Sequence, residues 1–184
     1  MTRLHRIYMV RHGRASAGWD TALDPGLDEL GRAQAREAAD QLQSLHFGNI
    51  ITSPLLRCQQ TAEPLGLKWN VAPQVFAEVS EIPSPKGVAM SDRIVWLREA
   101  MQGTWSELGS DYVAYRDCIT DFVRSIQTDT VIFSHFIAIN AVIGGVLGDD
   151  RLVIRSLDNC SITVLNVMQP EIFHSCRAAT RLTP

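Results

Sequence analysis

Two apolar runs, each closed by a histidine, restrict this chain more than any other feature. Ile7-Tyr8-Met9-Val10 leads into Arg11-His12-Gly13, and Thr130-Val131-Ile132-Phe133 leads into Ser134-His135. Short apolar runs of this kind read as buried strands. The glycine behind His12 allows the chain to turn sharply. In open α/β sheets, ligands bind in the crevice beyond the carboxyl ends of the strands. Both histidines are expected there, and packing alone is a poor reason for two such strand ends.

The residue types suit one chemistry. A histidine that is neutral near its ordinary pKa of about 6.5 can act as a nucleophile. Arg11 adds a permanent cation whose forked donors match phosphate or carboxylate oxygens. Between the two strands, Ile50-Ile51-Thr52 reads as a third strand and Ser53-Pro54 as a turn. The helix that follows carries Arg57 in its first turn. Helix N-termini favour anions, so Arg57 is placed to bind an oxyanion.

These segments together resemble the histidine phosphatase superfamily, which includes the cofactor-dependent phosphoglycerate mutases. The resemblance rests on Val10-Arg11-His12-Gly13, on Thr52-Ser53-Pro54-Leu55-Leu56-Arg57 with Gln60-Thr61-Ala62, and on Ser134-His135, in the family's order. Asp24-Pro25-Gly26-Leu27-Asp28-Glu29-Leu30-Gly31 resembles the family's entry into its first helix. The resemblance implies that His12 is transiently phosphorylated and that Arg11, Arg57 and His135 hold the phosphoryl group. Such transfer is mostly positioning and charge neutralisation, so the resemblance implies neither a metal nor a cofactor. It also implies a glutamate acid, commonly in a Glu-Ile pair, which points to Glu81-Ile82; Glu78 stands three residues earlier. Two departures stand out. Pro83-Ser84-Pro85-Lys86-Gly87 replaces a glycine and aromatic stretch, and Phe136 replaces a glycine, where a ring is expected to narrow the pocket or shift its specificity.

Strands alternating with helices predict an α/β fold: a single-domain, three-layer α/β/α sandwich with a mostly parallel mixed sheet. Residues 1–184 are expected to form one histidine phosphatase-like domain, with 73–110 as its lid or substrate-selecting region. Helices are expected over residues 27–45, from Arg57 to a break near Pro64-Leu65-Gly66, and over Ile137–Leu147, with a short strand at Lys68–Val71. Pro73 to Met90 reads as loop. Ile94, Leu97, Met101, Trp105 and Leu108 predict one helix capped by Ser91, and Asp111 is expected to cap the next. Strands are expected at Ser161–Val167, after Asn159, and at Glu171–Cys176.

Several classes are set aside. A formal charge of −3 offers no basic footprint for nucleic acid. No apolar stretch approaches the roughly 20 residues of a membrane helix. The N-terminal segment lacks a signal-peptide pattern, and four widely spaced cysteines suit reduced thiols. A cytoplasmic location is therefore expected. His5, His46 and His174 have no metal-ligand spacing. The leading expectation is a phosphatase that hydrolyses small phosphomonoesters through a phosphohistidine. A phosphoglycerate mutase-type transferase, a protein phosphohistidine phosphatase and a noncatalytic phosphate-binding protein are the alternatives. Oligomeric state and the natural substrate are not written in the sequence.

Overall fold

β1 (Arg3–Arg11) alternates its side chains strictly, and that alternation organises the molecule. Ile7 and Met9 enter one buried cluster, while Tyr8 and Val10 enter another on the opposite face. The computed structural model describes residues 3–45 and 47–169. Among these, five strands form one sheet in the order β3-β2-β4-β1-β5. β2 (Ile50–Thr52), β3 (Gln74–Val75) and β4 (Thr130–Ser134) run parallel with β1, and β5 (Ile162–Gln169) pairs antiparallel along its other edge. The mostly parallel mixed sheet expected from the sequence is what forms.

Helices cover both faces. α1 (Glu29–Leu42) and α2 (Leu56–Trp69) bury Ala39, Leu42, Cys58, Ala62 and Leu65 against Tyr8, Val131 and Phe133. α5 (Ser110–Ser125) and α6 (Phe136–Leu147) bury Ile119, Val123, Ile139 and Val142 against Ile7, Met9 and Ile132. α3 (Arg93–Ala100) and α4 (Trp105–Leu108) join this second layer through Ala100 and Trp105. The register aligns three strand ends: Arg11 lies opposite Ser134, and Thr52 opposite Phe133. Each next residue, His12, His135 or Ser53, therefore leaves the sheet on the same rim.

Local expectations fail where burial or a distant partner overrides them. α2 runs through Pro64 to Trp69, with Asn70 left-handed at its end, so no strand forms at Lys68–Val71. A helix-interior proline costs about 3 kcal/mol. Here the buried face continues past it through Leu65, Gly66 and Trp69, and that packing outweighs the missing bond. Residues 73–90 are not all loop: they hold β3 and a 3₁₀ turn over Ala77–Val79. The stripe from Ile94 to Leu108 is two helices, because Thr104 and Glu107 form a capping box that restarts the chain. Ser91 caps nothing; its hydroxyl bonds the Asp92 carboxylate. Asp111 lies inside α5 and pairs with Lys86, while Gly109, at φ 100°, provides the entry. The strand expected at Glu171–Cys176 lies outside the described residues, as do His46 and His174.

Candidate active site

At the common rim, one guanidinium touches both histidines. Arg57, buried in the first turn of α2, donates from Nε to His12 Nε2 at 3.2 Å and from Nη2 to His135 Nδ1 at 3.2 Å. These bonds fix the tautomers, since a guanidinium only donates. His12 Nε2 carries a lone pair and its Nδ1–H donates to the Gly13 carbonyl at 2.7 Å. His135 accepts at Nδ1, so its Nε2–H donates to Ser53 Oγ at 2.8 Å. The rings lie edge to face, 5.2 Å apart.

The loop that carries His12 is held from several sides. The amide of His12 donates to Ser134 O at 2.9 Å and its carbonyl accepts from Asn159 Nδ2 at 2.9 Å. Gly13 N donates to Thr61 Oγ1 at 3.0 Å, and the same hydroxyl donates to Arg57 O. A Cβ on Gly13 would stand 2.6 Å from the Gly31 carbonyl oxygen, so only glycine lets α1 approach so closely. The sequence marked Thr61 and Ser53 as motif members without giving them a partner. Asp24, read only as part of the entry into the first helix, has a carboxylate that accepts from Leu56 N at 2.8 Å and so occupies the N-terminus of α2. The Leu56 amide at this helix end is thus already taken, and the Arg57 side chain is the donor that faces the pocket.

Glu81 enters on the segment after the 3₁₀ turn. Ser134 Oγ donates to Val79 O at 2.8 Å and Tyr115 Oη to Ser80 O at 2.9 Å, pinning this segment to β4 and α5. The Glu81 carboxyl accepts from Ile82 N at 3.0 Å. His12, Arg57 and Glu81 line a pocket of about 130 Å3 with Ala15, Ala17, Trp19, Pro25 and Leu97. Glu78 is exposed on the 3₁₀ turn and lines none of it. Arg11 is also set back from the lining. It donates from Nη1 to the Leu157 carbonyl, and its guanidinium lies 5.2 Å from the centre of the Phe136 ring. Its Nε is buried without a hydrogen-bond partner among the described residues. Phe136 thus packs on Arg11 and does not narrow the pocket. A larger cavity of about 550 Å3 follows α2 and the β3 edge, but neither a histidine nor an arginine lines it.

Burial controls the proton equilibria. His12 is pushed down to about 3, chiefly by desolvation, with Arg57 and Arg11 adding to it and the Gly13 carbonyl opposing. His135 is held well below its usual value for the same first reason, then by Arg57. Glu81 is raised above the usual carboxylate value by desolvation, against the opposing Ile82 amide, Arg57 and Arg11. The rim therefore offers a neutral imidazole whose Nε2 lone pair faces Arg57, a nearby cation and a carboxyl group whose hold on its proton is strengthened by burial. Among the described residues no three His, Cys, Asp or Glu side chains are grouped to hold a metal.

A depressed histidine is a stability term. The unfolded chain protonates near pH 6.5, whereas the folded one resists, so the contribution is complete above that pH and declines as pH falls toward the folded values. Glu81, being raised, acts with the opposite sign. Wild-type protein should lose more of its urea midpoint between pH 7.5 and 5.5 than His135→Gln protein does. Equal losses would contradict the buried neutral state of His135.

The model of the histidine phosphatase superfamily (branch 1) matches residues 7–173. The chain belongs to this superfamily. The PE-PGRS family protein PE_PGRS11 of Mycobacterium tuberculosis is 42% identical over 82 residues, which are 41% of this chain and 14% of that protein. The chain thus spans a small part of that relative's length. A probable phosphoglycerate mutase, GpmB, of Photorhabdus laumondii is 25% identical over 183 residues, covering 86% of this chain and 83% of the relative. Among solved structures, a mycobacterial glucosyl-3-phosphoglycerate phosphatase superposes with a TM-score of 0.72 at 23% identity, covering 89% of this chain and 91% of the other. That likeness is one of fold.

Proposed function

We propose that this superfamily member is a phosphatase of small phosphomonoesters that works through a phosphohistidine. The observation that carries this reading is the neutral His12 ring, whose Nε2 lone pair stands at the pocket beside Arg57. Nε2 attacks phosphorus, the P–O bond to the alcohol breaks, and Glu81 gives its proton to the departing oxygen. Water then attacks the phosphohistidine, Glu81 takes a proton back, and inorganic phosphate leaves His12 neutral. Arg57 and Arg11 neutralise the phosphoryl oxygens, and the neutral His135 helps to orient them. No metal enters the scheme. The segment 73–110 serves as the substrate-selecting region, since it supplies Glu81 and Leu97 to the pocket. The spacing of the cysteines supports a cytoplasmic setting.

The acid has its own test. Glu81→Gln should slow an alkyl phosphate by about 10²–10⁴, the usual range for general acid catalysis. It should slow p-nitrophenyl phosphate far less, because nitrophenolate departs without a proton. Both esters should be measured over a range of pH for Glu81→Gln and Glu78→Gln. Leaving-group dependence in the Glu78 variant, or in neither, would remove Glu81 from its role.

The coverage of the probable mutase supports a second reading, in which the phosphoryl group returns to an alcohol. Labelled phosphoenzyme chased with phosphoglycerate decides between them: release as inorganic phosphate supports hydrolysis, and transfer supports the mutase.

A further inference from the structure

Resting on the phosphatase reading, we infer that the leaving-group side of this pocket is an apolar subsite. It selects monoesters of uncharged alcohols with a single ring or short apolar chain, and it disfavours those bearing a second anionic group. Past the reacting residues, the walls are Ala15, Ala17, Trp19, Pro25 and Leu97. None carries a charge, and only the Trp19 indole can hydrogen-bond. The Trp19 ring packs at a tilt against Trp96, 6.3 Å between centres, and Trp96 against Tyr112 at 5.6 Å, so an aromatic cluster backs the Trp19 wall.

Charge balance points the same way. The cations that act on His12 are Arg57 and Arg11, which match the two charges of a phosphomonoester. Of the other cations, Arg14 pairs with Asp28 and Lys86 with Asp111, while Arg93, whose guanidinium lies over Trp19 at 5.9 Å, does not line the pocket. A carboxylate on the leaving group would lose its water against an apolar wall without gaining a partner. A ring would gain contact area and an aromatic neighbour. At about 130 Å3 the pocket is smaller than the ~300–1,000 Å3 of drug-sized sites, so a nucleotide-sized alcohol does not fit inside it.

The test compares four alkyl esters by phosphate release: benzyl phosphate, methyl phosphate, 2-phosphoglycolate and phosphoserine. All four release an aliphatic alcohol that takes its proton from Glu81, so differences report contacts with the wall. The kcat/KM for benzyl phosphate should exceed that for the two anionic esters by about tenfold or more, the range one apolar group confers. Trp19→Ala should lower benzyl phosphate turnover about tenfold more than it lowers methyl phosphate turnover, mainly through KM, and Trp19→Phe should recover most of it. Anionic esters that equal or exceed benzyl phosphate would overturn the inference, and loss of that preference in Arg93→Gln would assign an anion subsite instead. Equal slowing of all four esters by Trp19→Ala would also overturn it, since Trp19 would then be merely structural. If wild-type protein hydrolyses none of the four, the phosphatase reading fails and the subsite falls with it.

Discussion

His12→Ala protein is expected to show no turnover above background and no covalent phosphoenzyme. The loss should be on the order of 10⁶-fold, the size found when the nucleophile of a covalent mechanism is removed. The fold should survive, because the ring lines a pocket and its Nδ1 bond reaches only the next residue's carbonyl, while backbone and Asn159 contacts hold the loop. Removing a histidine whose protonation is suppressed should even soften the decline of stability in acid. The measurement is a rapid quench without acid, since phosphohistidine is acid-labile, using a labelled monoester and then peptide mapping. Label that persists in the variant, or maps to another residue, would sink the mechanism.

Arg57→Ala should come next in size, with a loss of at least ~10³ in kcat/KM. One preorganised donor to a developing oxyanion is worth about 10²–10³, and here the donor is charged and also bonds two imidazoles. Its removal should leave a second mark. Arg57 holds down the proton affinity of both His12 and His135, so the acid limb of the pH profile should move to higher pH in the variant. Arg57→Lys should recover little, because an ammonium cannot reproduce the fork that spans the two rings. A loss under tenfold, or an unmoved acid limb, would remove Arg57 from the centre of the site.

The sequence made the candidate rim legible for a specific reason. His12, Arg57 and His135 each sit at a strand end or one helical turn beyond it, and short apolar runs announce strand ends clearly. The mixed sheet followed from the same runs. Glu81 was readable only through its Glu-Ile pair, because nothing local distinguishes it from the exposed Glu78. Geometry does so, through Ser134 and Tyr115, which pull residues 79 and 80 inward from distant elements. Partnerships across the chain left no local trace either: Asp24 on Leu56, Asn159 on His12, Thr61 on Gly13. The misread helix over 91–108 has the opposite cause. A stripe at helical spacing persists through the turn at Gly103 and Thr104, and spacing alone cannot reveal a capping box that restarts the chain. Pro64 misled because local propensity is weaker than the burial on either side of it.

The amide of His12 rests on the carbonyl of Ser134, and β1 pairs with β4 along its last five residues. A chain emerging from the ribosome therefore carries His12 for most of its synthesis without the neighbouring strand that completes the rim. His135 and the carbonyl that anchors His12 arrive together, on the same late segment. Pairings so far apart in sequence are slow to form, because loop closure must come first. Hydrolytic competence should accordingly switch on in one step as β4 inserts between β1 and β2. Recovery of turnover during refolding would then serve as a clock for that insertion.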